Sequence, residues 1–186
     1  MAAAIEAARR GAKVTLLERM DRVGKKILAT GNGRCNLMNV GAPCYPGGSN
    51  FAQAVLDRCG VKEQTAFWQE LGLRLRTEDG GRVYPASGQA STVLDALRLA
   101  MECMKVETVT GAAVTDVRPG KRGFTVSTAE QSWHADRVIV AAGGCAQPKL
   151  GSDGSALNLL TSLGHQCVQM RPALTQIITE TAAIKG

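Results

Sequence analysis

The chain has 186 residues, 45% of them hydrophobic, enough to fill the core of one ordinary domain or slightly more. No stretch approaches the roughly 20 apolar residues of a membrane span, and the alanine-rich start, interrupted by Glu6, Arg9 and Arg10, lacks a signal peptide's layout. The formal charge of +6 is scattered in pairs such as Arg9-Arg10 and Lys25-Lys26, and aromatics make up only 4%, which argues against a base-stacking platform for nucleic acid.

In chain order, Ala2 to Arg10 are strong helix formers stopped by Gly11, and Lys13 to Leu17 reads as a short buried strand ending at Glu18. A short helix through Ile27 and Leu28 is predicted between Gly24 and Gly33, running into a tight Gly31-Asn32-Gly33 turn. Val40 to Asn50 is rich in glycine and proline and reads as an exposed loop. Amphipathic helices are predicted near Phe51 to Arg58 and Val61 to Leu71, with Phe67, Trp68 and Leu71 facing the core. Leu73 to Thr77 and Arg82 to Tyr84 form a predicted hairpin across Asp79-Gly80-Gly81.

Ser91 to Met104 carries Val93, Leu94, Leu97 and Met101 at helical spacing, and Val106 to Val109 reads as a strand. Ala112 to Val117, Gly123 to Ser127 and Gln131 to His134 are three short strands of a predicted meander. Arg137 to Ala142 is an apolar, β-branched run of the kind buried on both sides of a parallel sheet, ending at Gly143-Gly144. Ser155 to Leu163 is a last helix before Gly164.

The six cysteines stand far apart, with no pair at the two-residue spacing of a zinc knuckle or redox dithiol, and are read as reduced thiols in a cytoplasmic protein. No metal site is expected. Cys35 is assigned a packing or polar-contact role in preference to redox relay, because no second cysteine is placed to resolve it. His134 and His165 read as surface residues. Ser87 and Ser152 have no neighbouring histidine and no nucleophile elbow, so hydrolysis lacks support.

Glu18 holds the position from which a carboxylate in a dinucleotide-binding βαβ unit accepts hydrogen bonds from the adenosine ribose; a solvated strand-end glutamate is the alternative. Such a unit opens with a strand and a glycine-rich turn that hold the pyrophosphate. Met1 already lies in the helix, so these parts are expected to belong ahead of it, and the chain reads as an incomplete enzyme. Within Lys25 to Asn36, the glycines permit close main-chain approach to a ligand, while Arg34, Asn32 and Asn36 bring donors suited to phosphate or a flavin's carbonyl edge.

The string Gly31-Asn32-Gly33-Arg34-Cys35-Asn36 resembles the signature of the BaiN-like, or aminoacetone-oxidase-like, family of NAD(P)/FAD-dependent oxidoreductases. The likeness continues through Gly81 to Ser87, Ala90-Ser91, Ala142-Gly143-Gly144, Pro148 to Gly154 and Arg171 to Leu174, in the family's order. Ala156 and Leu157 stand where relatives often have glycine and tyrosine.

The resemblance implies an α/β, doubly wound FAD/NAD(P)-binding (Rossmann-like) fold with a small β meander at about 106–134, lacking its first strand and C-terminal half. Residues 1–174 would be the partial FAD-binding domain, and 175–186 the start of an inserted β-rich domain. It also implies FAD as cofactor, NAD(P)H as electron donor and a small-molecule acceptor, with no catalytic acid, base or nucleophile assignable and the oligomeric state open.

The cofactor-binding residues implied are Glu18, Arg19, Lys26, Thr30, Gly31, Gly33, Arg34, Cys35, Asn36, Val114, Ala142, Gly143, Gly144 and Asp153. Lys26 reads equally as a solvated helix lysine, and Val114 as plain strand core. The Gly31 to Asn36 turn and the paired glycines are expected to face one bound nucleotide from two sides. A non-catalytic remnant is the rival reading; a basic nucleic-acid binder is a third.

Overall fold

The structure, a computed structural model, describes residues 1–41, 45 and 49–171. The chain divides into two units, Met1–Ala141 and Ala142–Gly186. Most of the Val40 to Asn50 loop, the end of the Arg171 to Leu174 segment and the expected domain start at 175–186 lie outside the described residues.

In the first unit, helix α1 (Ala2–Arg9) follows from its alanine content and buries Ala4 and Ile5. Its end is closed by Gly11 at φ +84°, with the Gly11 N–H donating to Ala8 O at 2.9 Å and that of Ala12 to Ala7 O at 3.1 Å. The chain then turns into β1 (Thr15–Leu17), which runs parallel to β5 (Glu107–Val109), Leu16 lying opposite Thr108. Between them come α2 (Lys25–Ala29), β2 (Met38–Asn39), α3 (Ser49–Leu56), α4 (Val61–Glu70), β3 (Leu75–Thr77), β4 (Arg82–Pro85) and α5 (Ala90–Cys103).

The peptide groups of β1 are divided between two directions. Val14 O, Glu18 N and, by the alternation of a strand, Leu16 face β5. Those of Thr15 and Leu17 point the other way, where no described strand pairs with them.

The core gathers under α5, whose Val93, Leu97 and Met101 pack with Ala4, Ile5, Val23, Cys35, Leu73 and Ala90. With Ala90, also on α5, these residues follow at spacings of three, four and four, which puts them on one stripe, as the sequence periodicity requires. Phe67, Trp68 and Leu71 pack against this cluster from α4, as expected. Strands β2, β4 and β3 form an antiparallel sheet in that order, with Val83 and Pro85 fully buried.

The α5 helix ends as α1 does, through N–H bonds from Lys105 to Glu102 O and from Val106 to Met101 O, but the left-handed residue is Lys105, at φ +56°. A side chain there costs about 1–2 kcal/mol that glycine avoids. Lys105→Gly is therefore expected to raise stability by about 0.5–1 kcal/mol after the added chain entropy of glycine is subtracted, as measured by urea unfolding; a loss of stability would contradict it.

Two sequence expectations need correction. Val106 to Val109 belongs to the parallel sheet with β1, and the meander begins later, as β6 (Asp116–Pro119), β7 (Phe124–Ser127) and β8 (Ser132–Ala135) paired antiparallel in sequence order. Ala112 to Thr115 is irregular because the Gly111 and Ala112 amides bond back to Met20 and Glu18 instead of entering a ladder.

The second correction concerns Arg137 to Ala142, which is not a strand, and Ile139 within it is 64% exposed. Composition alone cannot make a parallel strand, since its amides and carbonyls need neighbours, and none of the described strands lies alongside.

In the second unit, a short turn at Pro148–Leu150 precedes α6 (Ser155–Ser162), which ends at Gly164 as the sequence indicates. No helix among the described residues is long and apolar enough to cross a membrane.

Candidate nucleotide site

Glu18 sits immediately past β1, and its peptide is held on both sides. Its N–H donates to Val109 O at 2.9 Å, and its carbonyl accepts from Ala112 N at 2.9 Å. The side chain turns back so that Oε1 accepts the Met20 N–H at 2.9 Å. Burial pushes the Met1 amino group, at the start of α1, below its usual value, while the charge of the Glu18 carboxylate opposes that shift. A helix N-terminus and a carboxylate beside a parallel strand end are the two parts that grip the two halves of an adenosine diphosphate. Arg19 is exposed.

Two residues past the Ala112 bond to Glu18 lies Val114, half-buried and outside β6. Its backbone N–H and carbonyl enter no ladder among the described residues, so they are available to an incoming polar edge. The structure thus brings Glu18 and Val114 into one neighbourhood. The strand-core alternative for Val114 fails on its irregular backbone.

The second element is the turn after α2. Gly24, at φ +77°, opens that helix under Leu94, and the Val23 carbonyl accepts from Arg98 at 3.3 Å. Lys25 pairs with Asp21, whereas the half-buried Lys26 makes no ion pair among the described residues. Thr30 Oγ1 closes the helix by donating to Ile27 O at 2.7 Å.

Gly31, Asn32, Gly33 and Cys35 then all take left-handed conformations, at φ +55°, +55°, +79° and +58°. For Cys35 this costs about 1–2 kcal/mol, whereas asparagine tolerates the region through local hydrogen bonding, and the strain at Cys35 persists only where the surroundings enforce it. A Cβ on Gly31 would lie 2.6 Å from Asn36 N, so no other residue fits there without moving backbone. The Cys35 N–H donates to Thr30 O at 2.9 Å and its side chain is 7% exposed within the core cluster, in agreement with the packing role expected for it. Asn36 is exposed.

Arg34 does not project freely. Its Nη2 donates to Glu78 Oε1, and its guanidinium carbon lies 4.1 Å from the centre of the Tyr84 ring. Glu78 Oε1 also accepts from Arg76 Nη2 at 2.6 Å. Sequence reading passed over Glu78, which is 44 residues from Arg34; the local sign was a pair of carboxylates, Glu78 and Asp79, at the end of a strand and flanked by Arg74, Arg76 and Arg82.

The hydrogen bond from Arg34, then that from Arg76, holds the Glu78 carboxyl below its usual 4.5. A depressed carboxyl contributes stability that is complete above the unfolded value and is lost as pH falls through the folded one. Glu78→Gln is therefore expected to flatten the fall in stability below about pH 4.5, measured by urea unfolding across an acid series. An unchanged slope would contradict the pairing.

In the second unit, Ala142 and Gly143 are exposed, and Gly143 is at φ +80°. Gly144 packs so closely that a Cβ would meet Met170 Cε at 3.0 Å, and its carbonyl accepts from Gly154 N at 3.1 Å. Asp153 Oδ1 accepts the Ser155 N–H at 3.1 Å, at the start of α6. A cavity of about 540 Å³ is lined here by Cys145, Asp153, Leu157, Asn158 and Cys167 among others. The Gly31 to Asn36 turn lies in the first unit and the paired glycines in the second. Cys35, Cys59, Cys103, Cys145 and Cys167 are all unpaired thiols.

Residues 1–180 match the family model described as the HI0933-like protein Rossmann domain. The chain belongs to this family. The α/β Rossmann-like fold read from the sequence is thus that of the HI0933-like domain. Among its relatives, a 3-dehydro-bile acid delta(4,6)-reductase of Clostridium scindens is 44% identical over 180 residues, a match covering 94% of this chain and 44% of the reductase. A ribosomal RNA dihydrouridine synthase of Haemophilus influenzae is 23% identical over 178 residues, covering 92% of this chain and 44% of the synthase. The Escherichia coli synthase is 23% identical over 169 residues, covering 88% and 42%. This HI0933-like chain therefore spans less than half the length of the curated relatives it matches.

Proposed function

We propose that this chain is the nucleotide-binding portion of an FAD-dependent oxidoreductase that passes hydride from NAD(P)H to a small organic acceptor. The observation that carries it is the left-handed turn from Gly31 to Cys35, folded so tightly on itself that a Cβ at Gly31 would strike Asn36 N, in the same unit as a carboxylate at the end of a parallel strand. FAD fits what is present. Glu18 would receive the ribose hydroxyls, Val114 the adenine edge through its backbone, and Lys26, which has no ion pair among the described residues, with the Thr30 to Asn36 turn the pyrophosphate and flavin. Arg19 completes the proposed contacts of the first unit; in the second unit, taken by itself, Ala142, Gly143, Gly144 and Asp153 are the residues proposed to bind nucleotide, the paired glycines by close backbone approach.

Bound flavin supplies the two-electron chemistry. This chain's own residues orient and bind. Cys35, buried behind the turn, holds it in shape and takes no part in electron transfer. The relative at 44% identity is named a reductase of a bile acid, which supports a small-molecule acceptor; the relatives named for ribosomal RNA are at 23%. The unpaired thiols accord with the cytoplasm as the proposed compartment. We further propose that the FAD-binding domain extends over 1–174.

The test is the visible absorption spectrum of the purified chain after FAD is added and unbound flavin removed. A retained flavin spectrum near one equivalent is expected; a colourless protein that takes up no FAD would overturn the assignment. A second reading, nucleotide binding without turnover, is favoured by the Thr15 and Leu17 peptide groups of β1, which no described strand pairs, and by the irregular Arg137 to Ala142 run. It predicts retained FAD with no oxidation of NADH or NADPH.

A further inference from the structure

We infer that Glu78 is a positioning residue for the nucleotide site, acting through Arg34 to hold the Gly31 to Asn36 turn in the shape that receives the cofactor, an inference that rests on the flavin reading above. Two contacts converge on Arg34, next to a strained residue. Its guanidinium is hydrogen-bonded to Glu78 Oε1, stacked 4.1 Å over the Tyr84 ring, and followed at once by the buried, left-handed Cys35. Tyr84 also reaches the other end of the turn, where its Cε1 lies 3.4 Å from the position a Gly31 Cβ would occupy. The turn is therefore seated on β4 at both ends.

Glu78 supplies the only charge that fixes Arg34 among the described ion pairs, and it is itself braced by Arg76 from β3. A planar guanidinium clamped between a carboxylate and an aromatic face has one orientation. That orientation sets where the residues on either side of Arg34 run. Without it, Cys35 has a cheaper backbone conformation to relax into, because left-handed geometry is unfavourable for its side chain. Glu78 touches neither the proposed cofactor nor any reacting atom; its effect passes through a side chain 44 positions earlier in sequence.

The experiment is a double-mutant cycle of Arg34→Ala and Glu78→Gln with two readouts, FAD affinity by equilibrium titration and the alkylation rate of Cys35 by iodoacetamide in the cofactor-free protein, followed by peptide mass spectrometry. Exposed Cys59 serves as the internal reference, since its rate reports general reagent access and not the turn. Glu78→Gln is expected to weaken FAD binding about fivefold to tenfold and to accelerate Cys35 alkylation with Cys59 unchanged. In the Arg34→Ala background it should add nothing to either.

Wild-type values for Glu78→Gln in both readouts, or full additivity with Arg34→Ala, would overturn the inference and leave the flavin reading intact. A wild-type chain that takes up no FAD, with the cycle still coupled at Cys35, would remove the flavin reading and leave Glu78 fixing the turn. Arg34→Lys, which keeps the charge but not the planar fork, is the second variant should Glu78→Gln fold poorly. It is expected to accelerate Cys35 as well, and a wild-type Cys35 rate in it would count against the clamp.

Discussion

Ile5→Ala is expected to lower the unfolding free energy by about 2–5 kcal/mol. Ile5 has no solvent exposure and stands at the centre of the cluster built by α1 and α5, beside Ala4, Val93 and Leu97. Truncating it removes three carbons from contact, and the cavity left behind adds to the lost transfer energy because helices fixed at both ends collapse only partly. For a chain of this size the whole folding stability is on the order of 5–15 kcal/mol, so one substitution would consume a large share of it. Urea unfolding followed by circular dichroism reads the effect. A loss below about 1 kcal/mol would mean that α1 is not packed as described.

The second large effect is on ligand binding. Glu18→Ala should weaken FAD binding about tenfold to a hundredfold, because hydrogen bonds to a charged group contribute about 1.5–3 kcal/mol. The structural duty of the carboxylate is modest: it accepts one backbone N–H, that of Met20. Thermal stability should therefore fall much less than affinity does. Glu18→Gln, which keeps an acceptor without the charge, should fall between the two. If affinity is unchanged in Glu18→Ala while melting is also unchanged, the ribose role assigned to this residue is wrong.

Helices were largely legible because their signals are local. The spacing of Val93, Leu94, Leu97 and Met101 marked the buried stripe of α5, and Gly11 and Gly164 marked helix ends to within a residue or two. The hairpin across Asp79-Gly80-Gly81 was equally plain, since both strands and the turn lie within a few residues. The Gly31 to Cys35 turn was visible as a turn, and its left-handed run follows from glycine and asparagine chemistry.

What escaped was nonlocal. The Arg137 to Ala142 run has a strand's composition, but pairing depends on neighbours that no local pattern encodes. Nor did composition separate Val106 to Val109 from the meander, since only its partner β1 reveals that it is parallel. The engagement of Arg34 by Glu78 spans two elements and has no sequence periodicity at all. Val114 was open between strand core and backbone donor; it lies outside any strand, two residues past an Ala112 bond to Glu18 that is itself invisible in sequence.

The divided peptide groups of β1 have a kinetic counterpart. Amide protons of Leu16 and Glu18 are locked into the ladder with β5, while those of Thr15 and Leu17 face outward along the same three-residue stretch. Deuterium would then enter this strand in a zipper-tooth rhythm, odd positions quickly and even ones slowly. Among the described residues no strand covers that outward row, and an edge of this kind takes up extended polypeptide, so crowding the chain in solution is expected to favour association along β1.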